Sequence, residues 1–436
     1  MTVDELRAGL DEVALGQQLA AGVAELYPIC RSITGNGVRE TLRRLQRVAP
    51  LTMHEVPSGS EVFDWTVPEE WNIRDAYIKN DRGERVVDFQ RSNLHVVSHS
   101  VPVRARMSLE TLRPHLFTLP DRPDWVPYRT SYYAKNWGFC LRQRELDALA
   151  PGEYDVCIDA SLEMGSLTYG EVYLPGESTD EVLISAHVCH PSLANDNLSG
   201  VIIGGHLARY LEPVARRYSY RFLFVPGTIG AITWLARNEA VTAGIRHGLV
   251  LAGLGDAGRL TYKKSRRGDA AVDRAAMHVL RQLGDHEIFD FSPYGYDERQ
   301  FCSPGFNLPV GRLSRTPMDR CPEYHTSADD LHFVDPLQLA RSLTGCLAIL
   351  HVLENDRTFV NQNPKCEPQL GKRGLYHALG GLAHTRTSEM AMLWTLNLSD
   401  GQHGVLDIAE RSGLPFEAIH RAASMLRDHG LLKETP

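Results

Sequence analysis

The chain has 436 residues, 43% hydrophobic and 23% charged, which is enough for two or three globular domains with ample core. A formal net charge of -8 argues against a general affinity for nucleic acid or anionic membrane. No secretion-type signal opens the sequence, no apolar run approaches the roughly 20 residues of a spanning helix, and the eight cysteines form no Cys-x-x-Cys pair. These features point to the cytoplasm.

In chain order, residues 4 to 48 read as helices: Leu15 to Tyr27 is apolar at helical spacing, and a second helix begins at Val38 after a Gly-rich break. Arg31 and Arg39 read as solvated surface charges. From Met53 to about Asp155 the text becomes short alternating strands between prolines, and four of the six tryptophans fall there. This stretch is expected to be an inserted, mostly β module with its own small aromatic core, placed so that it could roof a site.

Glu181-Val-Leu-Ile-Ser-Ala is a buried strand that delivers His187 at its end, and a turn-rich loop brings in Asp196 nine positions later. Leu198 to Tyr210 follows as a helix. Arg221-Phe-Leu-Phe-Val and Leu249-Val-Leu are further buried strands, so strands alternate with helices as in a layered α/β domain with a largely parallel sheet. Ligands of such sheets sit beyond the carboxyl ends of the strands. His187 and Asp196 there suit zinc, or they simply hydrogen-bond to each other and cap the helix. The basic run Lys263-Lys-Ser-Arg-Arg267 reads as a solvated loop, with recognition of a substrate carboxylate or phosphate as its alternative.

Four ordered segments, Ser185-Ala-His187, Ala194-Asn-Asp196-Asn-Leu-Ser-Gly200, Asp297-Glu298-Arg-Gln-Phe301 ahead of Asn307-Leu-Pro309, and Tyr324-His325-Thr326, together resemble the zinc aminopeptidase superfamily that includes glutaminyl cyclases. The resemblance implies a three-layer α/β/α zinc-exopeptidase-like domain. It implies His187, Asp196 and His325 as metal ligands, with one coordination position left open. The family's Glu-Glu pair falls at Val225-Pro-Gly227-Thr228, where no carboxylate stands, and its next expected Asp is missing from Leu251-Ala-Gly-Leu-Gly. Cys189 replaces the usual Asp after the first His and reads as an inert buried thiol. A second metal therefore lacks ligands, and one zinc per chain is expected. With the family base absent, Asp297 and Glu298 are the candidate catalytic carboxylates, Glu323 is the next, and Asp329 is expected to orient a ligand or cap a helix.

The expected organisation is a discontinuous catalytic domain, residues 1–50 and 156–362, the inserted module at 51–155, and a winged-helix-like domain at 370–436. In the last, Val405 to Leu426 reads as helix, Gly turn, helix, with little room after it for a wing and with no basic face on the second helix. It reads as a protein-contact element, and a homo-oligomer could form through it or through the inserted module. The leading function is a single-zinc hydrolase of a small amide or short peptide. Cyclase-like acyl transfer and a non-catalytic, metal-stabilised binding protein are its alternatives.

Overall fold

The computed structural model describes residues 2–375 and 382–435. They form two compact units, Met1–Asp273 with Asp285–Gly345, and Arg274–Gly284 with Cys346–Pro436.

The first unit is built on an eight-stranded mixed sheet. Its strands in chain order are β1 (Thr52–Pro57), β2 (Ser166–Leu174), β3 (Glu181–His187), β4 (Ser219–Val225), β5 (Ile245–Leu251), β6 (Leu260–Lys263), β7 (His286–Phe289) and β8 (Val310–Ser314). They lie in the order β1-β2-β4-β3-β5-β8-β6-β7. The central strands β4, β3, β5 and β8 run parallel, and antiparallel pairings flank them. β3 is buried along its whole length, which explains its continuous apolar text instead of an alternating one. Glu181 is tolerated there because Arg221 donates to both its oxygens, at 2.7 and 2.8 Å.

Successive residues of β4 point to opposite faces, and both faces are covered. Leu223 and Val225 join one core cluster with Ile232, Trp234 and Leu235 of the helix Ile229–Arg237. Phe224, on the other face, meets the helix Gly200–Leu211, where a Cβ on Gly204 would lie 3.1 Å from the Phe224 ring. The result is the expected helix–sheet–helix layering.

A second sheet, in the order Arg85–Asp88, Glu70–Lys79, Glu153–Glu163, Val103–Ser108, carries its own core around Trp71, Phe139 and Tyr154. Thr52–Pro57, placed by sequence inside this module, belongs instead to the main sheet, where it pairs with β2. Its short alternating text fits an edge strand of either sheet, so pattern alone does not assign it.

The second unit holds the helices Leu382–Leu398, Val405–Ser412 and Phe416–Asp428. The middle one stops at Gly413, whose φ of +69° a side chain would resist. Its small sheet runs Asp400–Gly404, Thr358–Asn361, Leu432–Glu434. The strand Thr358–Asn361 lies upstream of the expected boundary at 370. It supplies the pairing that Leu432–Glu434 needs, which is how a wing fits into so little sequence. One further expectation is corrected. The helix Pro336–Asn355 is long and apolar enough to cross a membrane, but 72% of its apolar window is buried inside the protein, as in a core helix.

Candidate metal centre

β3 ends at His187, opposite Val225 of β4. The loop that follows is fixed from three sides. The Asp329 carboxylate accepts the backbone N–H groups of Asn195 and Asp196 at 2.6 and 2.9 Å. Burial, with the charge of Asp196 adding to it, pushes the Asp329 carboxyl up to about 7. Asn197 donates its side-chain amide to the Leu251 carbonyl at 2.8 Å, tying the loop to the end of β5.

The third support is Arg31, which the sequence places on the surface. It is 1% exposed and donates to the carbonyls of His190 at 2.8 Å and Leu26 at 2.7 Å. Burial pushes its guanidinium down to about 10. Arg39 is not a free surface charge either, since it forks onto Glu70 and also reaches Glu55 at 2.7 Å. The local text around both arginines gives no sign of such distant acceptors.

Around Asp196 the structure gathers the three sequence-derived ligands and one more residue. His187 Nε2 lies 2.8 Å from Asp196 Oδ1, and His325 Nε2 lies 3.0 Å from Asp196 Oδ2. His190, not among the ligands expected from the sequence, places Nδ1 3.2 Å from Oδ2. His187, His190 and Asp196 form a group whose donor atoms all lie within 4.8 Å of one another. The signal that could have found His190 is the His-x-x-His spacing at the strand end. Tyr296 donates its hydroxyl to Asp196 Oδ1 at 3.1 Å and stacks on the His187 ring.

His325 Nε2 and Asp196 Oδ2 are buried and 3.0 Å apart, yet they do not meet with hydrogen-bonding geometry. Buried polar atoms are rarely left so, and an imidazole nitrogen and a carboxylate oxygen facing each other are the donor set of a zinc ion. Burial holds the imidazoles of His187 and His325 below their ordinary value, which keeps the neutral, ligating form. At His190 burial acts the same way, but Cys189 and Asp196 outweigh it and raise the ring well above its usual value. The residues present therefore fit a metal ion.

The two candidate catalytic carboxylates part company. Asp297 is fully buried, and neither of its oxygens has a partner. A Cβ on Gly227 would lie 3.0 Å from His187 Cβ and 3.5 Å from Asp297 Oδ1. Asp297 thus stands beside the space left by the missing family Glu. Burial, then the neighbouring Glu298, push its carboxyl up to about 8. Glu298 is instead locked in a buried ion pair, with Lys263 Nζ at 3.0 Å and Arg312 Nη1 at 3.4 Å. The same pair removes Lys263 from the basic run expected in solvent. Its neighbours Lys264 and Arg266 are taken up by Asp290 and Asn307. Glu298→Gln should leave Lys263 and Arg312 without their counter-charge and cost about 3–5 kcal/mol of stability, measured by chemical unfolding. Glu323 turns its carboxylate toward Cys321, 3.6 Å from the thiol, and does not join the His–Asp cluster.

The inserted module closes over the cluster. The Tyr128 N–H donates to the His325 carbonyl at 2.8 Å, and Ser327 N–H donates to the Val126 carbonyl at 2.8 Å. The Tyr128 ring packs edge-on against His325 and His190, with centroids 5.0 and 5.2 Å away. Its hydroxyl meets that of Tyr132 at 2.6 Å.

The fold and the buried His–Asp cluster define the class: an α/β domain with the zinc aminopeptidase fold, joined to a C-terminal winged helix. Residues 21–356 match the family described as Domain of unknown function (DUF4910), and residues 357–434 match a winged helix-turn-helix family. The chain belongs to the DUF4910 family. It is 52% identical over 94% of its length to a Clostridium acetobutylicum protein, 95% of which is covered, provisionally named a polysaccharide biosynthesis protein with an aminopeptidase-like domain. A crystal structure from the same organism, provisionally described as a peptidase, superposes with a TM-score of 0.93 at 49% identity, covering 97% of each chain. The Bacillus subtilis zinc aminopeptidase shares the fold at 12% identity, with a TM-score of 0.57 over 78% of this chain and 95% of its own. A Shewanella amazonensis M28 peptidase precursor does so at 12% identity, with a TM-score of 0.56 over 81% and 96%.

Proposed function

We propose that this chain is a single-zinc hydrolase of a small amide or short peptide. The observation that carries the reading is the buried cluster at a strand end in which His325 Nε2 and Asp196 Oδ2 face each other at 3.0 Å without hydrogen-bonding geometry, with His187 and His190 beside them. His187, Asp196 and His325, with His190 beside them, would hold the ion, which when bound supplies Lewis-acid polarisation of a carbonyl. Asp329 and Arg31 hold the loop that presents Asp196, and Asn197 anchors the same loop to the Leu251 carbonyl.

Asp297 is the proton carrier in this reading. Its carboxyl is buried, unpartnered and next to the cluster, so it can hold a proton or release one without first breaking a hydrogen bond. Tyr128 and the inserted module cover one edge of His325 and in this reading limit the substrate to a small one. The relative's name adds polysaccharide biosynthesis as a context for such a small amide. The eight free thiols favour a reducing compartment, the cytoplasm in our reading.

Purified protein, with and without a chelator, should be screened against aminoacyl amides and N-acyl amino acids. Chelator-sensitive hydrolysis of one class is expected. No turnover of any member by zinc-loaded protein would leave the non-catalytic binding reading in its place.

For the winged helix we propose a protein contact instead of DNA reading, because its helix Phe416–Asp428 mixes Glu417 and Asp428 with Arg421 and Arg427. Fluorescence anisotropy should show only weak, salt-sensitive duplex binding. Tight, sequence-selective binding at physiological salt would reverse this reading.

A further inference from the structure

Beside the cluster lies a small cavity of about 20 Å³, lined by Asp196, Tyr296, Arg312, Ser314, Thr316 and Tyr324 among others. Ala252 and Gly253, at the end of β5, leave it open where the superfamily pattern would have put a carboxylate. Two of its lining side chains carry buried donors with nothing to donate to. Arg312 is 6% exposed and its Nε–H has no partner, and Ser314 is 4% exposed and its hydroxyl has none. Both belong to β8, two positions apart on one face, so rigid sheet backbone sets their positions.

The charges leave a surplus. Glu298 is faced by two cations, Lys263 at 3.0 Å and Arg312 at 3.4 Å, so one positive charge is unmatched within this group, while the carboxylates of Asp196 and Asp329 line the cavity's other side, toward the metal loop. The Arg312 guanidinium is also held over the Tyr296 ring, 5.5 Å from its centroid, and Tyr296 bonds Asp196. Buried, preorganised donors with surplus positive charge call for an anionic acceptor. A volume of about 20 Å³ takes roughly one or two water-sized groups, which matches the two oxygens of a carboxylate better than a phosphate.

Resting on the hydrolase reading above, we propose that Arg312 and Ser314 form a carboxylate subsite next to the metal centre. The amide cleaved is then that of an N-acyl amino acid or of a peptide's C-terminal residue. The reaction needs only water as co-reactant. Its oxygen bonds the acyl carbon, the C–N bond breaks, and both its protons end on the departing amine, giving a carboxylate and an ammonium.

The test is calorimetric titration of zinc-loaded, full-length protein with N-acetyl-L-alanine and with N-acetyl-L-alaninamide, which lacks the carboxylate. The wild type should bind the acid about ten- to a hundredfold more tightly, the worth of a charged hydrogen bond. Arg312→Lys keeps a cation facing Glu298 but loses the fork, and should bring the two affinities within about twofold. Ser314→Ala removes a hydroxyl that bonds nothing in the protein, so it should fold normally and lose part of the preference. It carries the test alone if Arg312→Lys fails to fold. No acid preference in the wild type, no binding of the acid, or an undiminished preference in the folded variants would overturn the subsite. Acid preference without turnover would sink the hydrolase reading and leave the subsite standing. Equal turnover of acid and amide would do the reverse.

Discussion

Asp297→Asn should lower turnover by about a hundred- to ten-thousand-fold while leaving fold and metal content unchanged. The expectation follows from where the carboxyl stands. Gly227 occupies the family base position and contributes no side chain, yet a Cβ built there would fall 3.5 Å from Asp297 Oδ1. The carboxyl therefore borders the emptied space from a different segment of chain. Because neither oxygen is bonded, replacing Asp by its amide breaks no existing contact, and a loss of rate would report on proton transfer instead of folding. Glu298→Gln supplies the contrast, since its expected effect is on stability through Lys263 and Arg312. Measuring kcat and the unfolding midpoint for both variants separates the roles. Full activity in Asp297→Asn would move the proton carrier elsewhere and remove the main support for catalysis at this place.

The parts of the molecule legible in the sequence were those governed by local text. Continuous apolar strands, a turn-rich loop and the Gly413 helix stop can each be read from a dozen residues, and the sheet, the metal loop and the helical pair follow from them. What could not be read depended on distant partners. Arg31 is buried because acceptors at Leu26 and His190 await it, and His190 lies 159 positions away in the chain. Glu298 and Asp297 are adjacent in sequence, but Lys263 and Arg312 turn one into a structural charge while the other is left unpaired. His190 is the exception: it lies six positions from Asp196, and its His-x-x-His spacing from His187 was a local signal that could have been read.

The largest effect on metal content is expected at Asp196. Its two oxygens face different imidazoles, Oδ1 toward His187 and Oδ2 toward His325 and His190, so Asp196→Ala should abolish zinc binding altogether. Wild-type protein should carry close to one zinc per chain by elemental analysis, and two tightly bound ions would refute the single-metal assignment. His325→Ala and His187→Ala should each release the ion, because three ligands leave no redundancy. His190→Ala should weaken it by about ten- to a hundredfold, as loss of a supporting contact does. One contact makes the His187 result the most informative. A zinc-bound imidazole ordinarily donates its second N–H to an acceptor, but the Nδ1 of His187 lies 3.3 Å from the amide nitrogen of Asn197, which is committed as a donor to the Leu251 carbonyl. That arrangement directs the His187 proton at Asp196 Oδ1. If His187→Ala keeps its zinc while His190→Ala loses it, the ion is held by His190, Asp196 and His325, and His187 serves to orient the carboxylate.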